Sequence, residues 1–91
     1  MDEELCIKEL FENEITINKI ESCMRLVLKK VQMSEYRGKI IMKYKGEKVG
    51  YLLLDAPIDE INVYHYWSGP FGIKTELSYK GKFIGVLLIR K

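Results

Sequence analysis

The sequence predicts an α+β domain: two N-terminal helices packed on a five-stranded antiparallel, meander-like sheet built around two similar β-hairpins. Apolar residues recur at helical spacing within residues 1–33. Within residues 39–90, short apolar or alternating runs are separated by glycine and proline, which is typical of strands. The chain of 91 residues has the length of one domain, with a helical part at 1–33 and a sheet part at 39–90.

The first helix is predicted over residues 2–12. Ile7, Leu10 and Phe11 fall on one face of such a helix, as a core-facing side requires. Acids at its start, beginning with Asp2, suit the positive end of the helix dipole.

A second helix is predicted from Thr16, a favourable N-cap residue, to about Met33. Its apolar residues form one stripe at helical spacing: Ile17, Ile20, Met24, Val27, Leu28 and Val31. Leu26 points away from this stripe. It is either a tolerated exposed leucine or a contact with the first helix or with another chain.

A repeated pattern organises the sheet part. Residues 44–54 return as residues 79–89 with the rule Tyr-Lys-Gly-x-x-apolar-Gly-x-Leu-Leu-apolar, and each copy reads as a strand, a Lys-Gly turn and an apolar strand. Gly50 and Gly85 are equivalent in the two copies and indicate a bulge or a close backbone approach. The predicted strands are 39–44, 49–55, 61–67, 73–79 and 83–90.

The last strand poses a problem for a plain meander, because residues 86–89 are apolar on both faces. An apolar strand at an unprotected edge invites association. The sheet could close, the last strand could lie centrally in a rearranged order, or a second subunit could cover it. We favour the third solution, a homodimer whose self-association residues are Leu26, Val86 and Leu88.

Composition restricts the class of protein. The net charge of +2 is unevenly spread, since residues 1–14 hold six acids against Lys8. The apolar runs are far shorter than the roughly 20 residues of a membrane span, and the acidic start differs from a basic signal peptide. We therefore expect a cytoplasmic protein without a membrane partner, whose two cysteines, Cys6 and Cys23, are reduced core residues.

Catalytic and metal-binding patterns are lacking. His65 is the only histidine, and one histidine with two separated cysteines does not give a recognised zinc spacing. No nucleophile elbow and no phosphate-binding loop is present. We expect no cofactor, no metal and no catalytic residue; a small enzyme centred on His65 is the third functional hypothesis.

The leading hypothesis is a non-enzymatic protein-binding module, such as an inhibitor, adaptor or immunity-type protein that acts by occlusion. Aromatic side chains of the kind enriched at interfaces cluster around the break after the middle strand: Tyr64, Tyr66, Trp67 and Phe71. The second hypothesis is nucleic-acid binding through basic hairpin tips: Lys43, Lys45, Lys48, Lys80 and Lys82.

Overall fold

The computed structural model describes residues 1–91 and confirms the α+β class, with two helices and an antiparallel sheet. The sheet is open and has six strands, so the predicted number of five was wrong. The elements are α1 (Glu3–Glu12), α2 (Ile17–Leu28), β1 (Gln32–Tyr36), β2 (Lys39–Tyr44), β3 (Glu47–Leu52), a 3₁₀ turn (Ile58–Glu60), β4 (Asn62–Gly69), β5 (Gly72–Tyr79) and β6 (Lys82–Arg90).

Both helices begin where the sequence provides a cap. The Asp2 carboxylate accepts a hydrogen bond from the Leu5 amide at 2.8 Å, and the Thr16 hydroxyl accepts one from the Lys19 amide at 3.3 Å. The second helix is shorter than predicted, because it ends at Leu28 and the chain then turns into β1.

Strand β1 was not predicted, although a tight turn whose sequence pattern occurs three times in the chain joins it to β2. Tyr36-Arg37-Gly38, Tyr44-Lys45-Gly46 and Tyr79-Lys80-Gly81 each connect two paired strands. In every copy the basic residue has a φ of 50–52° and the glycine a φ of 77–82°, which is the geometry of a type I′ hairpin turn. The first copy, Tyr36-Arg37-Gly38, indicates a hairpin and therefore a strand before Lys39, which is β1.

The strand order is β1-β2-β3-β6-β5-β4, so the sheet consists of two three-stranded meanders joined through β3 and β6. The join is antiparallel, with Tyr51 opposite Val86. The repeated pattern gives this arrangement an approximate two-fold axis at that pair. The predicted simple meander was therefore wrong: β6 lies in the centre of the sheet and has no edge for a second subunit to cover.

Gly50 and Gly85, the two repeated glycines, allow β3 and β6 to pair closely. A Cβ on Gly50 would overlap the Val86 carbonyl, and a Cβ on Gly85 would overlap the Tyr51 carbonyl. The ladder also shifts register beside each glycine, at Met42/Lys43 and at Leu77/Ser78. Both alternatives named for these glycines, the bulge and the close approach, are confirmed.

The helices cover one face of the sheet and enclose the core between the two layers. The buried apolar residues come from both layers: Leu10, Ile20, Met24, Val27, Leu28, Met42, Val49, Leu52, Ile61, Val63, Ile73, Leu77, Ile84, Leu87 and Ile89. Cys6 and Cys23 join α1 to α2 as a disulfide with a Cα–Cα distance of 5.6 Å, so the prediction of reduced thiols was wrong.

Arg25 and Glu21 fasten α2 to the start of β4. The Arg25 guanidinium donates to the Ile61 carbonyl at 3.0 and 3.2 Å, and the Glu21 carboxylate accepts from the Val63 amide at 3.0 Å. Neither helix of the structure has the length and apolar character that crossing a membrane requires.

Candidate functional site

The surface of interest is the side of the sheet turned away from the helices, here called the open face. Strand register identifies its central row, because residues paired across an antiparallel ladder share one face. This row crosses all six strands: Ser34, Ile41, Tyr51, Val86, Glu76 and His65. Their neighbours along each strand, such as Leu87 and Leu77, are the residues buried under the helices.

The middle of the open face is apolar. Ile41, Tyr51, Val86 and Leu88 are half-buried there, and Leu88 belongs to the row next to the central one. Trp67 shares that row through its pairing with Lys74 and is 47% exposed. We call Ile41, Tyr51, Val86, Leu88 and Trp67 the apolar centre.

Four lysines share the open face with the apolar centre and are here called the lysine rim: Lys39, Lys43, Lys48 and Lys74. Lys74 lies between Trp67 and Leu88, and the other three lie on β2 and β3. Lys43 and Lys48 lie directly opposite each other, an arrangement of like charges that weakens a strand pair. None of the four forms an ion pair. The repulsion between Lys43 and Lys48 is not offset by an acid of the same chain. A positively charged surface of this kind attracts negatively charged partners.

Two lysines of the rim lie over aromatic rings of the apolar centre. The Lys39 ammonium is 4.8 Å from the centroid of the Tyr51 ring, and the Lys74 ammonium is 5.3 Å from that of Trp67. The only acid among the paired open-face positions is Glu76, whose carboxylate is 3.8 Å from Nδ1 of His65. The open face therefore combines apolar and aromatic side chains with an excess of positive charge.

The four aromatics predicted to bind protein do not form one surface. Trp67 lies on the open face, whereas Tyr66 pairs with buried Thr75 and packs against the core on the helix side. Tyr64 occupies the irregular position of the edge strand β4 and is 65% exposed. Phe71 lies in the β4–β5 turn and is 85% exposed.

The lysines predicted to form basic hairpin tips are also separated. The β2–β3 and β5–β6 turns lie at opposite ends of the sheet, roughly 30 Å apart for nine or more residues along β6. Lys45 at the first tip pairs with Glu4, and this hydrogen bond raises the pKa of the Lys45 ammonium. Lys80 and Lys82 lie at the other end, so the tips do not act as one patch.

The self-association residues are divided between the two layers. Val86 and Leu88 belong to the apolar centre, while Leu26 lies on α2 and is packed partly against the core. A single flat contact cannot include all three.

His65 has two neighbours on the open face, Glu76 and Trp67. Its ring meets the Trp67 ring edge-on, with the centroids 4.3 Å apart. No group of three potential metal ligands comes together anywhere in the chain. The Glu76 carboxylate lies 3.8 Å from the imidazole, and the Thr75 hydroxyl, on the opposite face of β5, donates to the Leu87 carbonyl and not to His65.

A groove of about 590 Å³ lies between α1 and the ends of β3 and β6, and one residue of the apolar centre, Leu88, also lines it. Its floor includes Ile7 and Val49, and its rim holds the pairs Lys45–Glu4 and Arg90–Glu47. Since these charges already neutralise each other, the groove presents less free charge than the open face.

Sequence reasoning missed Ile41, Lys39 and Lys74 as parts of a surface. Alternation along β5 was visible, but assigning residues of different strands to one shared face requires the strand order. No protein-family model, curated protein or solved structure was found to match the chain.

Proposed function

We propose that this protein is a small non-enzymatic protein-binding module that docks its partner on the open face and acts by occlusion, as an inhibitor, adaptor or immunity-type protein does. The observation that carries the proposal is that the apolar centre and the lysine rim share one face of the sheet. Protein interfaces combine an apolar middle with a polar, solvent-accessible rim.

The make-up of the apolar centre supports this assignment. Tyr51 and Trp67 are residue types that supply interface hot spots, and Ile41, Val86 and Leu88 provide the flat apolar area around them. The helix layer presents only isolated large apolar side chains, among them Leu5 and Ile17. A partner on the open face would bury the exposed part of Trp67 and complete the burial of the half-buried Tyr51, Val86 and Leu88.

Single-stranded nucleic acid is a second candidate for the same face. The lysine rim could hold phosphates, and Tyr51 and Trp67 could stack bases. The specific observation in its favour is the unpaired Lys43–Lys48 juxtaposition. We rank it second because the net charge of +2 is small for a protein that binds nucleic acid.

The proposal is tested by affinity capture from a lysate of the source cells, with a nuclease-treated duplicate. Wild type is compared with Tyr51→Ala and Leu88→Lys, which alter the apolar centre. Tyr64→Ala on the edge strand β4 and Ile17→Lys on α2 are controls at exposed positions outside the apolar centre. We expect one protein to be retained in stoichiometric amount by wild type and both controls, to survive nuclease, and to be lost from both open-face variants.

Two results would count against this assignment. A partner that is lost with Tyr64→Ala but kept by Leu88→Lys would move the docking surface to the β4 edge. Nucleic acid that leaves with salt, with no protein retained, would favour the second candidate. Thermal unfolding of each purified variant verifies that a loss of binding is not caused by a loss of folding.

We also propose that the protein is located in the cytoplasm.

A further inference from the structure

We infer that the open face binds the acidic outer side of α1 from a second copy of this chain, head to tail. This inference rests on the proposed function, since it names the partner for the docking surface. It differs from the homodimer predicted from the sequence, because the two copies use different surfaces.

The open face carries an excess of positive charge. The lysine rim places four cations on the open face, against Glu76 alone, and Glu76 already faces His65. Two open faces packed together would bring the rims against each other, and like charges across an interface disfavour that arrangement. The occupant should therefore carry negative charge.

A negatively charged surface of this kind is present on the same chain. Glu9 and Glu12 on α1 are exposed and form no ion pair, with Lys8 as the one base on this side. Leu5 lies one turn before Glu9 and is 45% exposed. The outer side of α1 thus combines an apolar contact with unpaired carboxylates, which complements the open face.

The open face has room for α1 of a second copy, but not for α1 of its own. The helix side and the open face are opposite sides of one two-layered molecule, so α1 cannot reach the open face of its own copy. Ten residues of helix are about 15 Å long and about 10 Å wide. Six strands give a sheet roughly 24 Å across, which leaves room for one such helix.

A contact of this kind is heterologous, because each copy offers one donor surface and one acceptor surface. Copies therefore add in a row or close into a ring, and they do not pair as a two-fold dimer. Attraction between exposed charges also makes the association depend on salt, since the screening length falls from about 30 Å at 0.01 M to about 3 Å at 1 M.

The test is a charge exchange measured by analytical ultracentrifugation of the full chain. One variant carries Lys43→Glu and Lys48→Glu on the open face; the other carries Glu9→Lys and Glu12→Lys on α1. We expect wild type to form a concentration-dependent series of oligomers at low salt, and each variant alone to associate at least about tenfold more weakly. An equimolar mixture should associate again, because each variant then complements the other.

A matched control carries Lys30→Glu and Lys82→Glu, exposed positions outside both surfaces with the same change in net charge. It should associate like wild type. A control as weak as the open-face variant would overturn the inference, because net charge and not the surfaces would then govern association.

Three further outcomes would also overturn it: a wild type that stays monomeric up to about 1 mM, a two-fold dimer that ignores both exchanges and is lost with Leu88→Lys, and mixed variants that fail to reassociate. The proposed function has a separate readout. A monomeric chain that still retains a foreign protein through Tyr51 and Leu88 keeps the docking surface and loses only the second copy as partner.

Discussion

Gly50 and Val86 lie in such close backbone contact that no other residue fits at position 50. A Cβ built on Gly50 would lie 2.9 Å from the carbonyl carbon of Val86 and closer still to its oxygen. The obstacle is main chain, so no side-chain rotation relieves it. This contact occurs where the two meanders meet, beside the Tyr51–Val86 pair.

We expect Gly50→Ala to lower the free energy of unfolding by about 2 kcal/mol or more, because β3 and β6 must separate to admit the methyl group. Gly69→Ala is the matched control, since its nearest neighbour would be at an ordinary 3.9 Å. Urea unfolding measures both. Equal, small losses for the two variants would show that the junction tolerates a side chain.

Arg25 should contribute more to stability than an exposed lysine on the same helix end. Arg25→Met leaves the Ile61 carbonyl without its charged donor and should cost about 1–2 kcal/mol. Lys29→Met removes only a 3.9 Å pair with exposed Asp59 and should cost less than about 0.5 kcal/mol. If thermal unfolding gives the two variants the same stability, the hydrogen bonds from Arg25 to Ile61 contribute little to the free energy of unfolding.

The disulfide between Cys6 and Cys23 should stabilise the fold by about 3 kcal/mol, as expected for a closed loop spanning 17 residues. We expect a reducing agent to lower the urea midpoint of wild type and to leave the Cys6→Ser/Cys23→Ser variant unchanged. Unfolding insensitive to reductant, together with two thiols found by alkylation, would mean that the pair is not linked. Persistent disulfides are typical of oxidising compartments, so this result also bears on the cytoplasmic prediction.

Tyr44 should make stability fall at alkaline pH. Burial, followed by the 2.9 Å hydrogen bond that its hydroxyl donates to the Glu3 carboxylate, raises the pKa of Tyr44 above the ordinary 10.0. The unfolded chain therefore loses this proton first, so the contribution is complete below about pH 10 and is lost as the pH rises through the folded pKa.

Urea unfolding across this pH range measures the effect, with Tyr44→Phe expected to show a shallower decline than wild type. Tyr79→Phe, at the equivalent position of the second repeat, is the matched control. An unchanged decline in Tyr44→Phe would assign the alkaline loss to other groups.

Local features were predicted from the sequence to within a few residues. The Asp2 and Thr16 caps set both helix starts, and the strand 39–44 has the predicted bounds. Each depends on a few neighbouring residues. The missed β1 was also a local error, because Arg37-Gly38 has the chemistry of the two turns that were recognised.

By itself the sequence determined the fold class, the helix starts, the Lys-Gly turns and the glycines of the repeat, because caps, turns and alternation act over a few residues. Tertiary structure alone decided that β6 lies in the centre, that Cys6 meets Cys23, and that Lys39, Lys43, Lys48 and Lys74 share one face. Those outcomes depend on which strands pair. An apolar strand is buried equally well in several orders, so its own residues do not select one.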